Sequence, residues 1–396
     1  METDTRTLYD GLLSLVIFRD LRQSPLISAA LQLMRAEDHD RDAALTAYAE
    51  LAGAIYDGGG SITACVDALL CAADNDYIRK SAAGEPIPAC MQAQCLVELD
   101  ALSALSRLTS ARAASFYNGD AVLAQWTTDN TDIRANFLAR LARIDAVGYG
   151  IFAAYTSFLL REGSLVPVLH PDPIRLEDLK GYERERRQVI DNTAALLAGK
   201  PAQNVLLSGD AGTGKSSAVK AIANHFAPRG LRLIQLEKQQ LRELPALMGE
   251  LSRNPLKFIL FVDDLSFSEN DDDFGALKAA LEGSVSARSA NTAIYVTSNR
   301  RHLIRERFSD RDGDEIHHND TVQELTSLSD RFGLTVTYVK PDKQKYLAIV
   351  CALADAAGLA YDRDRLCAEA EIFATRKGGR SPRAARQFMD TMLALK

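Results

Sequence analysis

The stretch "GDAGTGKSS", Gly209 to Ser217, carries the most specific chemistry in the sequence, with Gly209, Gly214, Lys215 and Ser216 at the defining places of G-x-x-x-x-G-K-[ST]. Between them Asp210, Ala211, Gly212 and Thr213 complete a short loop whose glycines let the backbone turn tightly, so that successive N–H groups surround phosphate oxygens. Lys215 is placed to reach the β- and γ-phosphates, and the Ser216 hydroxyl to ligate Mg²⁺. The run from Lys215 through Ser217 to Phe226 reads as a helix whose positive N-terminal end adds to the same anion site.

A second group of polar residues follows apolar runs. "KFILFVDD" ends on Asp263 and Asp264. A carboxylate at the end of a strand beside a phosphate loop can hold the Mg²⁺ shell, which assigns Asp263 to the metal together with Ser216. The next carboxylate, Asp264, can polarise an attacking water, or can be a solvated loop start. "TAIYVTSN" ends on Asn299, a neutral amide able to hydrogen-bond that water or the γ-phosphate, although a lone Asn after a strand more often makes a turn. "SLSDRFG" places Arg331 just before the last strand, where it can serve as a finger toward a neighbouring subunit's transition state or simply join a surface ion pair. "RKGGRSPRAARQF" gathers basic residues at a helix start; Arg383 is the choice for a cation facing the nucleotide and Arg380 the reserve, with a partner or nucleic-acid patch as the competing reading. In "RRHLIRERFSDRDGDEIHHND" the neighbours His317 and His318 sit among mixed charges, which reads as a solvated loop rather than a metal site.

The elements that must position these residues change character along the chain. From Thr5 to about Leu160 the apolar spacing is helical, as at Leu8, Leu12, Leu15 and Val16, and predicts an all-α domain over 1–166 of six to eight helices. The proline-rich stretch 161–182 reads as a connector. Beyond it five short apolar runs, at 204–209, 231–237, 257–264, 292–299 and 334–340, alternate with helical segments. That alternation predicts a three-layer αβα core with a five-stranded parallel sheet over 167–340, followed by a helical piece over 341–396.

Bulk properties exclude little but orient the rest. Over 396 residues the net charge is −7, which argues against a surface coated in basic residues for nucleic acid while leaving a local patch open. The opening "METDTRTLYD" lacks the pattern of a secretory signal, and the most apolar run, 146–160, is shorter than the roughly 20 residues that span a bilayer; a cytoplasmic protein without a membrane partner is expected. The six cysteines form no C-x-x-C pair and read as reduced thiols.

The ordered set formed by the phosphate loop, "FVDD", "TSN", "SDRFG" and "RSPR" resembles the AAA+ ATPases, and "NVLLSGDAGTGKSS", "FILFVDDLSF", "YVTSNRRHLI" and "LSDRFGL" look like the bacterial AAA+ family called domain of unknown function 815. The resemblance covers about Pro167 to Lys396. It implies Walker A, Walker B, sensor 1, arginine-finger and sensor 2 roles for these positions, a C-terminal helical lid, ATP and Mg²⁺ as cofactors, and a homo-oligomer. It also implies that "DLKGYE" puts Gly181 and Tyr182 near the base. One departure stands out: most AAA+ motors carry Glu at the position of Asp264, whereas this chain, like the bacterial replication initiator, has Asp-Asp, so slow basal hydrolysis is expected.

Two functions follow. The first is Mg²⁺-dependent ATP hydrolysis coupled to remodelling or assembly of a partner that the N-terminal helices recruit. The second is a slow-hydrolysing ATP switch, initiator- or loader-like, that binds protein or nucleic acid. A monomeric small-molecule kinase fits less well because it needs no finger from a neighbour, and no N-K-x-D string argues for GTP.

Overall fold

In the computed structural model the described residues are 5–36, 40–117, 121–266, 272–282, 290–299 and 331–394. The span Arg300–Asp320, with His317 and His318, lies outside them, as do Ser329 and Asp330 of "SDRFG". The chain divides into two units, residues 1–154 and 155–396.

The first unit is helical: α1 (Thr5–Leu13), α2 (Pro25–Ala36), α3 (Arg41–Asp57), α4 (Ile62–Cys71), α5 (Asp76–Ala83), α6 (Ala89–Ser106), α7 (Ser110–Ala114), α8 (Ile133–Leu141), and the single turns α9 (Ile144–Val147) and α10 (Ile151–Ala154). Side-chain caps at Asp40, Ser61, Asn75, Thr109 and Asp132 start five of these helices by accepting backbone N–H groups. Their apolar faces enclose one core, with Leu12, Ile27, Leu33, Leu51, Ile62 and Leu99 fully buried. Within it the buried carboxylate of Glu98 on α6 accepts the backbone N–H groups of Val16, Ile17 and Phe18 at 2.9–3.1 Å, which satisfies both the charge and three donors that leave α1.

The second unit begins at residue 155, and two strands form where the sequence spacing read helix up to about Leu160 and connector from 161 onward. β1 (Ser157–Arg161) and β2 (Ser164–Pro167) form an antiparallel hairpin. Glu162 (φ 49°) and Gly163 (φ 73°) both sit in the left-handed region, as a two-residue type I′ turn requires. The unit continues through α11 (Glu183–Leu197), β3 (Val205–Gly209), α12 (Lys215–Phe226), β4 (Leu231–Leu236), α13 (Leu244–Leu251), β5 (Lys257–Val262), α14 (Asp272–Glu282), β6 (Thr292–Thr297), β7 (Leu334–Tyr338), α15 (Lys343–Ala356), α16 (Arg363–Arg376) and α17 (Pro382–Ala394).

All five expected strands are present, and the hairpin extends the sheet to seven in the order β2-β1-β4-β5-β6-β3-β7. Every pairing except β1 with β2 is parallel. β3, β5 and β6 are buried on both faces, so their residues need not alternate with polar ones. Val205, Leu207, Ile259, Phe261, Ala293 and Tyr295 join a core shared with α11, α12 and the last three helices. Their neighbours Leu206, Leu260, Val262, Ile294 and Val296 are equally buried and, by strand alternation, face the other side of the sheet. Among the described residues no helix is long and apolar enough to cross a membrane.

The register places the functional strand ends together. Gly209 pairs with Tyr338, Leu207 with Thr297, and Val262 with Val296, so the loops after β3, β5 and β6 leave the same carboxyl edge of the sheet.

Candidate nucleotide site

Between β3 and α12 the loop takes the shape that its glycines permit. Gly209 (φ 126°), Gly212 (φ 76°) and Gly214 (φ 92°) all have positive φ. A Cβ on Gly209 would run into the backbone of Tyr338, so close approach as well as conformation demands glycine there. Thr213 closes the loop by donating its hydroxyl to the Asp210 carbonyl at 2.8 Å. Asp210 ties the loop to the end of β7: its N–H donates to Tyr338 O at 3.0 Å, and its carboxylate accepts the Lys340 N–H at 2.8 Å. Ala211 and residues 212–217 line a cavity of about 570 Å³.

The polar side chains of the three strand ends meet in this cavity. Lys215 is buried and donates to the carbonyls of Gly209 (2.9 Å) and Asp210 (2.8 Å) and to Asn299 Oδ1 (2.9 Å). Asn299 Nδ2 in turn donates to Asp264 Oδ1 at 2.6 Å. Ser216 Oγ donates to Asp263 Oδ1 at 2.6 Å, and Thr297 Oγ1 donates to the same oxygen at 2.5 Å. Thr297 Oγ1 also accepts the Asp264 N–H at 2.8 Å, where the Asp264 backbone adopts φ 53°. Left-handed backbone is unfavourable for every residue but glycine, though Asn and Asp tolerate it better than most, so this position carries a modest strain that its surroundings must hold. Burial pulls the Lys215 ammonium below the ordinary lysine value of 10.5, while Asp264, Asp210 and Asp263 pull it back up and Arg383 opposes them.

Mg²⁺ prefers hard oxygen donors and takes few of them from protein, keeping waters and substrate phosphates for the rest. Ser216 Oγ and Asp263 supply such a pair within hydrogen-bond distance of each other beside the phosphate loop, so the residues fit that ion. Among the described residues no cluster of three or more His, Cys, Asp or Glu offers a protein-only cage.

α15 and α17 close one side of the cavity, through Ile349 and Leu353 on the first and Pro382, Arg383 and Arg386 on the second. Ser381 caps α17 by accepting the Ala384 N–H, and Pro382 follows at the first helical position. This start leaves the Arg383 N–H, an orphan donor of the first turn, to bond Gly212 O at 3.1 Å. A Cβ on Gly212 would lie 3.3 Å from Ser381 Oγ and 3.4 Å from Arg383 Cβ, so loop and helix approach closely only because residue 212 is glycine. Arg383 lines the cavity; Arg380 instead makes a two-pronged pair with Glu371 at 2.9 and 2.6 Å.

The remaining expected residues are placed less centrally. Tyr182 lines the cavity, but it is 2% exposed: its ring stacks on Tyr338, carries Lys345 Nζ 3.7 Å from its centroid, and its hydroxyl donates to Val339 O at 2.6 Å. It offers no open face to a base; burial pushes its phenol up to about 12. Gly181 packs against Ile349 and accepts from Arg186 through its carbonyl. Arg331 precedes β7, whose first residue Leu334 pairs with Val205 at the start of β3, whereas the phosphate loop follows Gly209, which pairs with Tyr338 at the other end. A strand rises about 3.3 Å per residue, so Arg331 stands at the far edge of the sheet from its own phosphate loop.

Sequence reading missed Thr297, Arg186 and Asp178, and noted Arg386 only as one of the basic residues gathered at the last helix start. Arg186 and Asp178 line the cavity, and Arg386 donates to Asp178 O at 3.1 Å across it. Only Thr297 had a signal: it shares a strand face with Asn299 by period-two alternation.

A family profile described as "Protein of unknown function (DUF815)" matches residues 152–396. The chain belongs to this family. The DUF815 match spans the whole second unit and begins just before β1, so the hairpin lies inside it. No curated protein matches the chain. Among solved structures, the Thermotoga maritima RuvB Holliday junction branch migration motor is similar at 14% identity, over 55% of this DUF815 chain and 72% of that one, with a TM-score of 0.34.

Proposed function

We propose that the chain is a Mg²⁺-dependent ATPase of AAA+ type that works as a homo-oligomer and couples hydrolysis to remodelling or assembly of a partner held by its N-terminal helices. The observation that carries this reading is the pair of contact series Ser216–Asp263 and Lys215–Asn299–Asp264 beside the phosphate loop. When bound, the metal would supply charge neutralisation for the β- and γ-phosphates. Ser216 and Asp263 would hold it, and the loop N–H groups with Lys215 would bind and orient the phosphates. Asp264 would take a proton from the attacking water while Asn299 fixes the carboxylate's direction. Arg383 would face the nucleotide from α17, and Arg331 would act on the site of a neighbouring protomer, since it lies at the opposite sheet edge from its own.

The slow-switch reading is favoured by one feature of the same geometry. Asn299 holds Asp264 Oδ1, so the attacking water is left the other oxygen of a carboxylate that is one methylene shorter than Glu and reaches less far. In that reading the ATP-bound form is long-lived, and the basic residues from Arg376 to Arg386 bind protein or nucleic acid.

Phosphate release by the full-length chain with ATP and Mg²⁺ tests the proposal. Asp264→Asn is expected to bind ATP normally and to lose about 10²-fold in turnover, within the usual range for removing a general base. Arg331→Ala is expected to bind ATP normally yet fail to hydrolyse it even at protomer concentrations where wild type is active. Wild-type turnover in both variants would sink the catalytic assignments, and ATP binding without any hydrolysis by wild type would leave only a binding module.

A further inference from the structure

Resting on the ATPase reading, we infer that Thr297 is the positioning residue that keeps the two adjacent carboxylates in different jobs. A hydroxyl has one proton to donate and lone pairs to accept with. Thr297 uses both in opposite directions. It donates to Asp263 Oδ1 at 2.5 Å and accepts the Asp264 N–H at 2.8 Å, so one side chain of β6 grips consecutive residues at the end of β5. Its own N-terminal neighbour Val296 pairs with Val262, and the Thr297 carbonyl accepts the Leu265 N–H at 2.8 Å. The hydroxyl is thus fixed against β5 on both sides.

Two consequences follow for the carboxylates. Asp263 Oδ1 receives hydroxyl protons from both Ser216 and Thr297, and none of the described residues donates to Oδ2, which is left for the metal shell. Asp264 is turned to φ 53°, and that turn brings its carboxylate to Asn299 rather than to the metal-binding oxygens. Without the acceptor at Thr297 Oγ1, the strained backbone loses its tie and the Asp264 N–H is left without its partner. Valine keeps the volume and branching of threonine and suits the strand equally well, so it removes the hydroxyl alone.

Magnesium dependence separates this role from simple packing. With Thr297→Val, turnover is expected to fall roughly 10²-fold, the scale of a displaced reacting group. Calorimetric titration with ADP should give a dissociation constant within about twofold of wild type in EDTA, yet the Mg²⁺ concentration for half-maximal tightening should rise about tenfold, as when a group behind a metal ligand is lost. Thr297→Ser, which restores the hydroxyl without the methyl, should recover both quantities to within about threefold. If Thr297→Val melts below the assay temperature, Thr297→Ala is judged by the same two measurements. Wild-type turnover and Mg²⁺ dependence in the valine or alanine chain would overturn the inference, and so would a serine chain as impaired as the valine one. Should the wild type release no phosphate, the ATPase reading fails, and the ADP and Mg²⁺ titration alone still decides the role of Thr297.

Discussion

At the scale of single residues, the site is governed by what each polar atom has as a partner. Lys215 is the clearest case, because three oxygens hold its ammonium in a buried place that nevertheless lowers its affinity for a proton. Phosphates arriving beside it would stabilise the charged form, so the bound-state value lies above the free-state one. Nucleotide binding should therefore take up a proton in the alkaline range, and affinity should decline as pH rises through the depressed free-state value toward the bound-state one. The decline should begin below 10.5, the ordinary lysine value. Calorimetry in buffers of different ionisation enthalpy measures that uptake; a flat affinity profile up to that pH would contradict it. The phosphate loop was legible in the sequence because its chemistry is contiguous. Asp263, Asp264 and Asn299 were legible because each lies within two residues of the end of an apolar strand. Thr297 and Arg186 were not, and Arg386 could not be told apart from its basic neighbours, since their partners lie far along the chain and meet them only through strand register and helix packing.

At the scale of elements, the start of α17 and the β1–β2 hairpin are instructive. "RSPR" contains two arginines close enough in sequence that composition could not separate them, and helix capping does so: Ser381 and Pro382 set the first turn, which delivers Arg383 to the cavity while Arg380 falls back onto Glu371. Replacement of Arg383 by Ala should lower phosphate release about tenfold or more, on the scale of losing one charge-stabilising group. Replacement of Arg380 should leave turnover near wild type and instead loosen α16 against α17, read as faster amide exchange there. The reverse pattern would reassign the role to Arg380. The hairpin was missed for a physical reason. Its strands are five and four residues long, the first continues an apolar run read as helix, the second opens a proline-rich stretch, and only the Glu162-Gly163 dipeptide marks their turn.

For the whole molecule, the two units have separate cores, and the second contains every residue of the proposed site. A fragment covering 155–396 should fold and bind ATP with an affinity close to that of the full chain. A fragment covering 167–396, which follows the boundary read from sequence, would strip β1 and β2 from β4 and bare a buried strand's hydrogen-bonding edge. Such an edge is a template for other chains, so the shorter fragment should aggregate. Light scattering and ATP titration of the two fragments compare them directly, and equal behaviour would mean that the hairpin is dispensable. The parallel core was readable because β3, β5 and β6 are apolar and buried over nearly their whole length and β7 alternates polar with apolar residues. The extension was not, because β2 is an edge strand whose residues are half exposed.

The bond from the Arg383 N–H to Gly212 O runs from main chain to main chain. No substitution of the arginine side chain removes it, and proline alone among the twenty residues would. Sequence drift at position 383 could therefore abolish the positive charge while the last helix stayed in mechanical register with the phosphate loop. The charge and the mechanical link are thus separable: if the proposed ATPase activity holds, a descendant without the charge would lose turnover and keep the coupling of its last helix to the phosphate loop.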